Sequence, residues 1–239
     1  AGRDRCGAGS MRGGIDVGAA PVAPVTSSAV ADTFQAPRGT RDILAPESAA
    51  PGDEVAARVI VTNRKAGHNF STGPLDFIQA WVHVRIVDGR GDVLAEFGAL
   101  DPRTRDIVDR PGQVHQVGNA RDEGTMVLEG MPLDEAGLPL LEHQLWRKAG
   151  GKGQRVIFPR YTDNQVYRFV VPEGVHGPLT LRAALNFRRY RQDFLDRVVP
   201  SMERDRGITQ RIVTQDADER TIAIVARGAA GTTPQADLP

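Results

Sequence analysis

Cysteine is almost absent from this chain of 239 residues, where Cys6 stands alone. A single thiol excludes an internal disulfide and any zinc site of standard spacing built on paired cysteines. Lysine is scarce too: Lys65, Lys148 and Lys152 are the full set, so arginine supplies nearly all the positive charge. That bias fits bidentate contacts with carboxylates, and a GC-rich genome would produce it equally well. Thirty basic side chains cancel thirty acidic ones, and no long basic block occurs. Nucleic-acid binding therefore has no electrostatic footprint. No apolar run approaches the roughly 18 residues needed to cross a bilayer. The opening AGRDRC lacks the apolar core of a secretory signal, which leaves the chain cytoplasmic or already processed. Catalytic signatures are missing as well. There is no G-x-S-x-G elbow, no P-loop and no dinucleotide fingerprint, and the five histidines show neither H-x-H nor H-E-x-x-H spacing. Acidic pairs such as Asp122–Glu123 and Asp134–Glu135 sit in turn-like surroundings.

What is present divides into three parts. Residues 1–50 are rich in Gly, Ala, Pro and Ser and have little periodicity, as in GAAPVAPVTSSAVAD. Such a segment buries too little apolar surface to offset its own ordering, so it reads as an extended arm held by a partner. Residues 51–225 read as a β domain. APGDEVAARVIVTNR alternates with Val55, Ala57, Val59 and Val61 on one face, and AWVHVRIV places Val82, Val84 and Ile86 inward. That alternation turns His83 outward, beside Trp81 and Arg85. The Asp-Gly-Arg-Gly turn after it, followed by Val93 and Leu94, predicts a hairpin. RVIFP, QVYRFVVP and LTLRAALNFR continue the pattern; Leu179, Leu181, Ala183, Leu185 and Phe187 share a face. Residues 101–150 form a long polar insertion of the kind that carries function or contacts. YRQDFLDRVV shifts to helical spacing, with Phe194, Leu195, Val198 and Val199 on one stripe and Pro200 as its limit. ITQRIVTQ and ERTIAIVA predict two closing strands parted by DADE, and residues 226–239 a flexible tail. The fold class expected is mainly β: an immunoglobulin-like β-sandwich with a long insertion, one short C-terminal helix and an extended N-terminal arm.

The stretch VIVTNRKAGHNFSTGPLDFIQAWVHVRIVDGRGDVL resembles the opening of the all-β C-terminal domain of multihaem c-type cytochromes. In that family a strand ends in an Asn-containing turn, runs into a Gly-His-x-Phe-Pro-Thr-Gly loop, and continues into a Trp-bearing strand and a hairpin. The resemblance runs on in order through LDEAGLPLLEHQLWRK, RVIFP, VYRFVVP and LTLRAALNFRRYRQDFLDRV, over roughly residues 50–225. It departs from the family where haem chemistry would live. The C-x-x-C-H attachment pattern is missing, and Cys6-Gly-Ala-Gly9-Ser10-Met11 reads like such a site with its second cysteine and its histidine replaced. Coincidence in a Gly-rich segment is the rival reading of Cys6.

The resemblance makes His68 a candidate axial haem ligand reaching a neighbouring domain or subunit. The alternative is a structural ring that braces its turn, and Ser71 in place of the family's proline leaves the loop less rigid. His143 lies beside Trp146 at helical spacing, as a second ligand, a partner contact, or a pair packing the insertion onto the sandwich. His115 and His176 have no convergent acidic neighbour in sequence. Trp81, Trp146, Arg188, Arg189, Tyr190 and Arg191 are candidate partner-binding residues, with salt bridges at the strand-to-helix junction as the alternative for the arginines.

Taken together, these residues lead to an expectation of a haem-less, non-catalytic accessory subunit with no cofactor or metal of its own. By resemblance it would sit on the periplasmic or extracellular side, bound to protein subunits of a bacterial electron-transfer complex: respiratory, multihaem cytochrome or photosynthetic reaction centre. Two alternatives remain at this stage. One is a cytochrome fragment whose His68 ligates haem across a boundary, and the other is an independent ligand-binding β-domain, for instance for carbohydrate.

Overall fold

The computed structural model describes residues 43–64, 66–71, 73–116, 124–199 and 210–227. The arm up to residue 42, Cys6, the Asp122–Glu123 pair and the tail beyond 227 lie outside the described residues. The described residues are mainly β with one short helix.

Two sheets face each other across one core. The smaller orders β1 (Ile43–Leu44), β3 (Glu54–Thr62) and β12 (Thr162–Val170) side by side. The larger runs β2 (Ser48–Ala49), β14 (Val213–Ile224), β13 (Leu179–Arg188), β4 (Gln79–Val87), β5 (Val93–Phe97), with β9 (Val127–Leu128) paired beside β4. The period of two in the sequence becomes inside and outside here. Val55, Ala57, Val59 and Val61 from β3 meet Val82, Val84 and Ile86 from β4 and Leu179, Leu181, Ala183 and Leu185 from β13 in a single buried cluster. Long β3–β12 and β4–β13 antiparallel registers hold each layer. β4 and β5 form the expected hairpin, whose turn is closed by the Asp88 carboxylate accepting from the Arg90 and Asp92 amides.

Three features depart from the sequence-based expectation. Residues 43–50, grouped by composition with the arm, supply β1 and β2 to the two sheets. DADE does not separate two strands: Asp216–Glu219 lies within the continuous β14, paired with β13 through a bulge at Leu185/Asn186. Alternating exposure along an outer strand tolerates such a polar run, because only every second side chain must face the core. The insertion is not strand-poor either. β6 (Ala99–Leu100), β7 (Ile107–Arg110) and β8 (Gln113–Val114) make a small sheet of their own, and β10 (Met131–Leu133) pairs with β11 (Gly150–Lys152).

The small β6–β8 sheet lies as a flap over the outward face of β4. There Trp81 packs with Ile107 and Val127, joined by Leu100 and Ile212, in a cluster separate from the main core. The helix α1 (Gln192–Val198) follows β13, burying Leu195 while Val198 stays exposed. Among the described residues no helix is long and apolar enough to cross a membrane.

Candidate functional site

The densest convergence of ionisable groups lies beneath the flap. His115, immediately after β8, points its Nδ1 at Asp109 Oδ1 on β7 and its Nε2 at Glu129 Oε1 between β9 and β10, both at 2.8 Å. Both carboxylates are buried, Asp109 at 0% exposure and Glu129 at 2%. A ring with an acceptor carboxylate on each side must donate from both nitrogens, so His115 is an imidazolium. Burial alone would pull its pKa down. The bonds to Asp109 and Glu129, and their charges, overcome that and push it up to about 9. Burial likewise works to raise Glu129, but the bonds from His115 and Gln79 and the charges of His115 and Arg191 hold it below the usual carboxylate range.

This group extends in both directions. Gln79 Nε2 donates to Glu129 Oε2 at 2.8 Å, and Gln79 Oε1 accepts from Arg188 Nε at 2.9 Å and Nη2 at 2.6 Å. Arg188 also donates to the Arg105 carbonyl at 2.7 Å and lies 5.5 Å from the Trp81 ring centroid. Burial pulls the Arg188 guanidinium down to about 10, against the opposing charges of Asp106 and Asp193. On the far side the Thr125 amide donates to Asp109, and the Tyr167 hydroxyl accepts from the Met126 amide and contacts Thr125 Oγ1. Burial pushes the Tyr167 hydroxyl up to about 12. Such a network is chemically saturated. Both imidazole nitrogens are occupied, so the ring can act neither as a base nor as a metal ligand without breaking a buried ion pair. Among the described residues no cluster of three His, Cys, Asp or Glu has the disposition to hold a metal ion.

Sequence reasoning did not find this group, because His115 has no acidic neighbour at a motif spacing. One clue was available: Glu129 is the lone charge in TMVLEGM, and a carboxylate embedded in an apolar run needs a partner.

The residues that sequence did single out fall into two sets. Trp81, at 1% exposure, donates from Nε1 to the Gly98 carbonyl under the flap. Arg188 and Arg191 are 3% and 4% exposed, the first in the network above and the second bonded to Asp193. Strand alternation turns Trp81 and Arg188 outward, but the flap covers them, while Arg191 is buried where the helix begins; burial does not suit the three as partner contacts. Trp146, Arg189 and Tyr190 remain within reach of solvent. Trp146 is 82% exposed and its chain neighbour Leu145 44%, while Leu138 in the loop capped by Asp134 is 61% exposed.

His143 and Trp146 do not share a helix. Leu145–Arg147 form a single 3-10 turn, and His143 adopts a φ of +58°. Only His143 packs inward: its Nδ1 donates to the buried Asp76 carboxylate at 2.8 Å, and its ring stands edge-on to Phe77, centroids 4.9 Å apart. Phe77 stacks in turn on Phe194. The turn that mounts Trp146 is braced by Arg147 to Asp134 at 3.2 Å and by the Ala149 amide on the Leu133 carbonyl. Asp134 also caps its own loop, accepting from the Ala136 and Leu138 amides.

His68 is exposed, on a loop hung from the buried Asn63. Asn63 Nδ2 donates to the carbonyls of His68 and Ile157, and Asn63 Oδ1 accepts from the Ala66 amide. The His68 ring turns back so that Nδ1 faces the Asn69 carbonyl at 3.0 Å. A carbonyl can only accept, so that nitrogen carries a proton, and in the neutral ring Nε2 keeps the lone pair. His83 pairs outward with Glu96 at 2.8 Å, and His176 lies 3.6 Å from Asp88.

No family model matches the chain, and no curated protein matches it. Among solved structures it is similar to a penta-heme cytochrome c552 from Thermochromatium tepidum. The two are 18% identical, with a TM-score of 0.49, over 77% of this chain and 40% of that one. The chain thus spans 40% of that cytochrome's length. The usual covalent attachment of c-type haem uses two thioether cysteines and an adjacent histidine, and this sequence, whose sole thiol is Cys6, contains no such pattern.

Proposed function

We propose that this chain is a non-catalytic accessory β-domain that docks, without covalent haem of its own, onto protein subunits of a bacterial electron-transfer assembly on the extracytoplasmic face of a membrane. The observation that supports docking is Trp146, 82% exposed beside the exposed Leu145 on a turn that Arg147 ties to Asp134. A large indole held out in water by a hydrogen-bonded loop gains nothing for the monomer, whereas tryptophans of this kind are the commonest anchors of protein interfaces. The saturation of the Asp109–His115–Glu129 group supports the non-catalytic part. The electron-transfer setting and its cellular side rest on the sequence resemblance over residues 50–225 set out above.

The test is a Trp146→Ala chain expressed in its native assembly. Its melting temperature should match the original, while co-purification with a partner that stains for haem should weaken by about tenfold or more. Full retention of the partner, or a partner without haem, would overturn the reading.

His68 supports a second reading, that of an axial ligand to a partner's haem. With Nδ1 tied to the Asn69 carbonyl, the neutral ring of this exposed residue offers Nε2 as the nitrogen for iron ligation. Replacing His68 by alanine in the intact assembly should then alter a low-spin haem band; an unchanged spectrum removes it.

A further inference from the structure

The flap and the sandwich have separate cores. The β6–β8 sheet meets the body through a small apolar cluster of Trp81, Ile107 and Val127 with Leu100 and Ile212, whereas the sandwich keeps its own much larger one. The remaining ties are polar. Gly98 accepts from Trp81, the Arg105 carbonyl accepts from Arg188, Asp109 accepts from the Thr125 amide, and His115 bonds Glu129. Only His115 among these carries a titratable proton shared between two buried carboxylates, one on the flap and one on the body.

We propose that protonated His115 is the pin that holds the flap on the sheet, and that its deprotonation releases the flap and uncovers Trp81 while the sandwich stays folded. A neutral imidazole has one N–H. It can serve Asp109 or Glu129 but not both, so one charge-assisted contact between the flap and the body side of the pin is lost. Among the described residues, the charges around the pin come from several elements. Asp109 is on β7, Glu129 lies between β9 and β10, Arg188 is on β13, Arg191 precedes α1, and Asp106 and Arg105 lie in the β6–β7 turn. Tyr167 on β12 stands behind Asp109.

The window follows from the folded and free values. His115 is pushed up to about 9 from 6.5, so its contribution is complete below 6.5 and is lost as pH rises through about 9. Arg188, at about 10, lies above that window, as does Tyr167 at about 12. Because the flap's apolar seal is small, opening it is a local event of lower free energy than unfolding the sandwich. The inference is independent of what Trp146 binds.

The chain's two tryptophans make the event readable: Trp81 is 1% exposed and Trp146 is 82% exposed. A Trp146→Phe chain leaves Trp81 as the only indole. Between pH 7 and 9.5, below the value of Arg188, its emission should shift to the red and its acrylamide quenching should rise, with a midpoint near 9. The far-ultraviolet strand signal should hold through that range. His115→Gln on the same background should show the exposed Trp81 already at pH 7, with no further transition. His115→Lys, which keeps a cation, should move the midpoint upward, and it serves if the glutamine chain fails to fold. The proposal is overturned if Trp81 and the strand signal change together, if the glutamine chain titrates like its parent, or if Trp81 stays buried to pH 9.5.

Discussion

Gly124 offers the sharpest test of the buried network, because a single added methyl group would strike it. A Cβ built there lies 2.6 Å from the Asp109 carboxyl carbon and 2.8 Å from each of its oxygens, distances that real side chains do not sustain. The backbone also has a φ of +89°, which L residues other than glycine rarely adopt. Two contributions therefore add in Gly124→Ala. The positive φ costs roughly 1 kcal/mol. Displacing Asp109 weakens its 2.8 Å bond from His115, a charge-assisted contact of about 1.5–3 kcal/mol. The 3.2 Å bond from the Thr125 amide is loosened too. The expected loss is about 3 kcal/mol, roughly two orders of magnitude in the unfolding constant. Equilibrium urea denaturation at pH 7 measures it, with an unchanged slope confirming that the same surface is exposed. The decisive arm is Asp109→Ala, which empties the space that the methyl group would enter. On that background Gly124→Ala should cost only the roughly 1 kcal/mol of its φ. If the full loss persists there, the steric reasoning is wrong.

Two further predictions follow from the same geometry. Tyr167→Phe keeps the ring but strips the acceptor from the buried Met126 amide, at 3.2 Å, and should cost about 1–3 kcal/mol in a thermal melt; no measurable change would mean the amide has another partner. Asn63→Ala removes the bonds to the His68 and Ile157 carbonyls and the Ala66 amide. It should loosen the His68 loop, seen as faster amide exchange at residues 66–70, with a loss of about 2–3 kcal/mol; exchange rates equal to the parent's would show that the glycines alone shape the turn.

Much of the scaffold can be read directly from residue order. Alternation in EVAARVIVT and QAWVHVRIV assigns strands and inner faces because a side chain in a strand has only two directions to point. The Asp-Gly-Arg-Gly turn identifies the hairpin, and the shift in period at QDFLDRV identifies the helix. The candidate site was far less legible. His115 meets a carboxylate 14 residues away in Glu129, which in turn meets Gln79 across 50 residues. Gln79 then meets Arg188 across 109, and no local pattern encodes separations of that size.

Trp81 marks the boundary between the two kinds of information. Its position on the outward face of β4 follows from the chain alone, as does the lack of any C-x-x-C-H attachment pattern in these 239 residues. Whether that outward face meets water depends on a flap contributed by residues 99–114, and on the ion pair that pins it. Periodicity is a property of neighbouring residues, whereas burial and proton affinity are set by whatever distant chain arrives, and only the packed structure brings that chain into place.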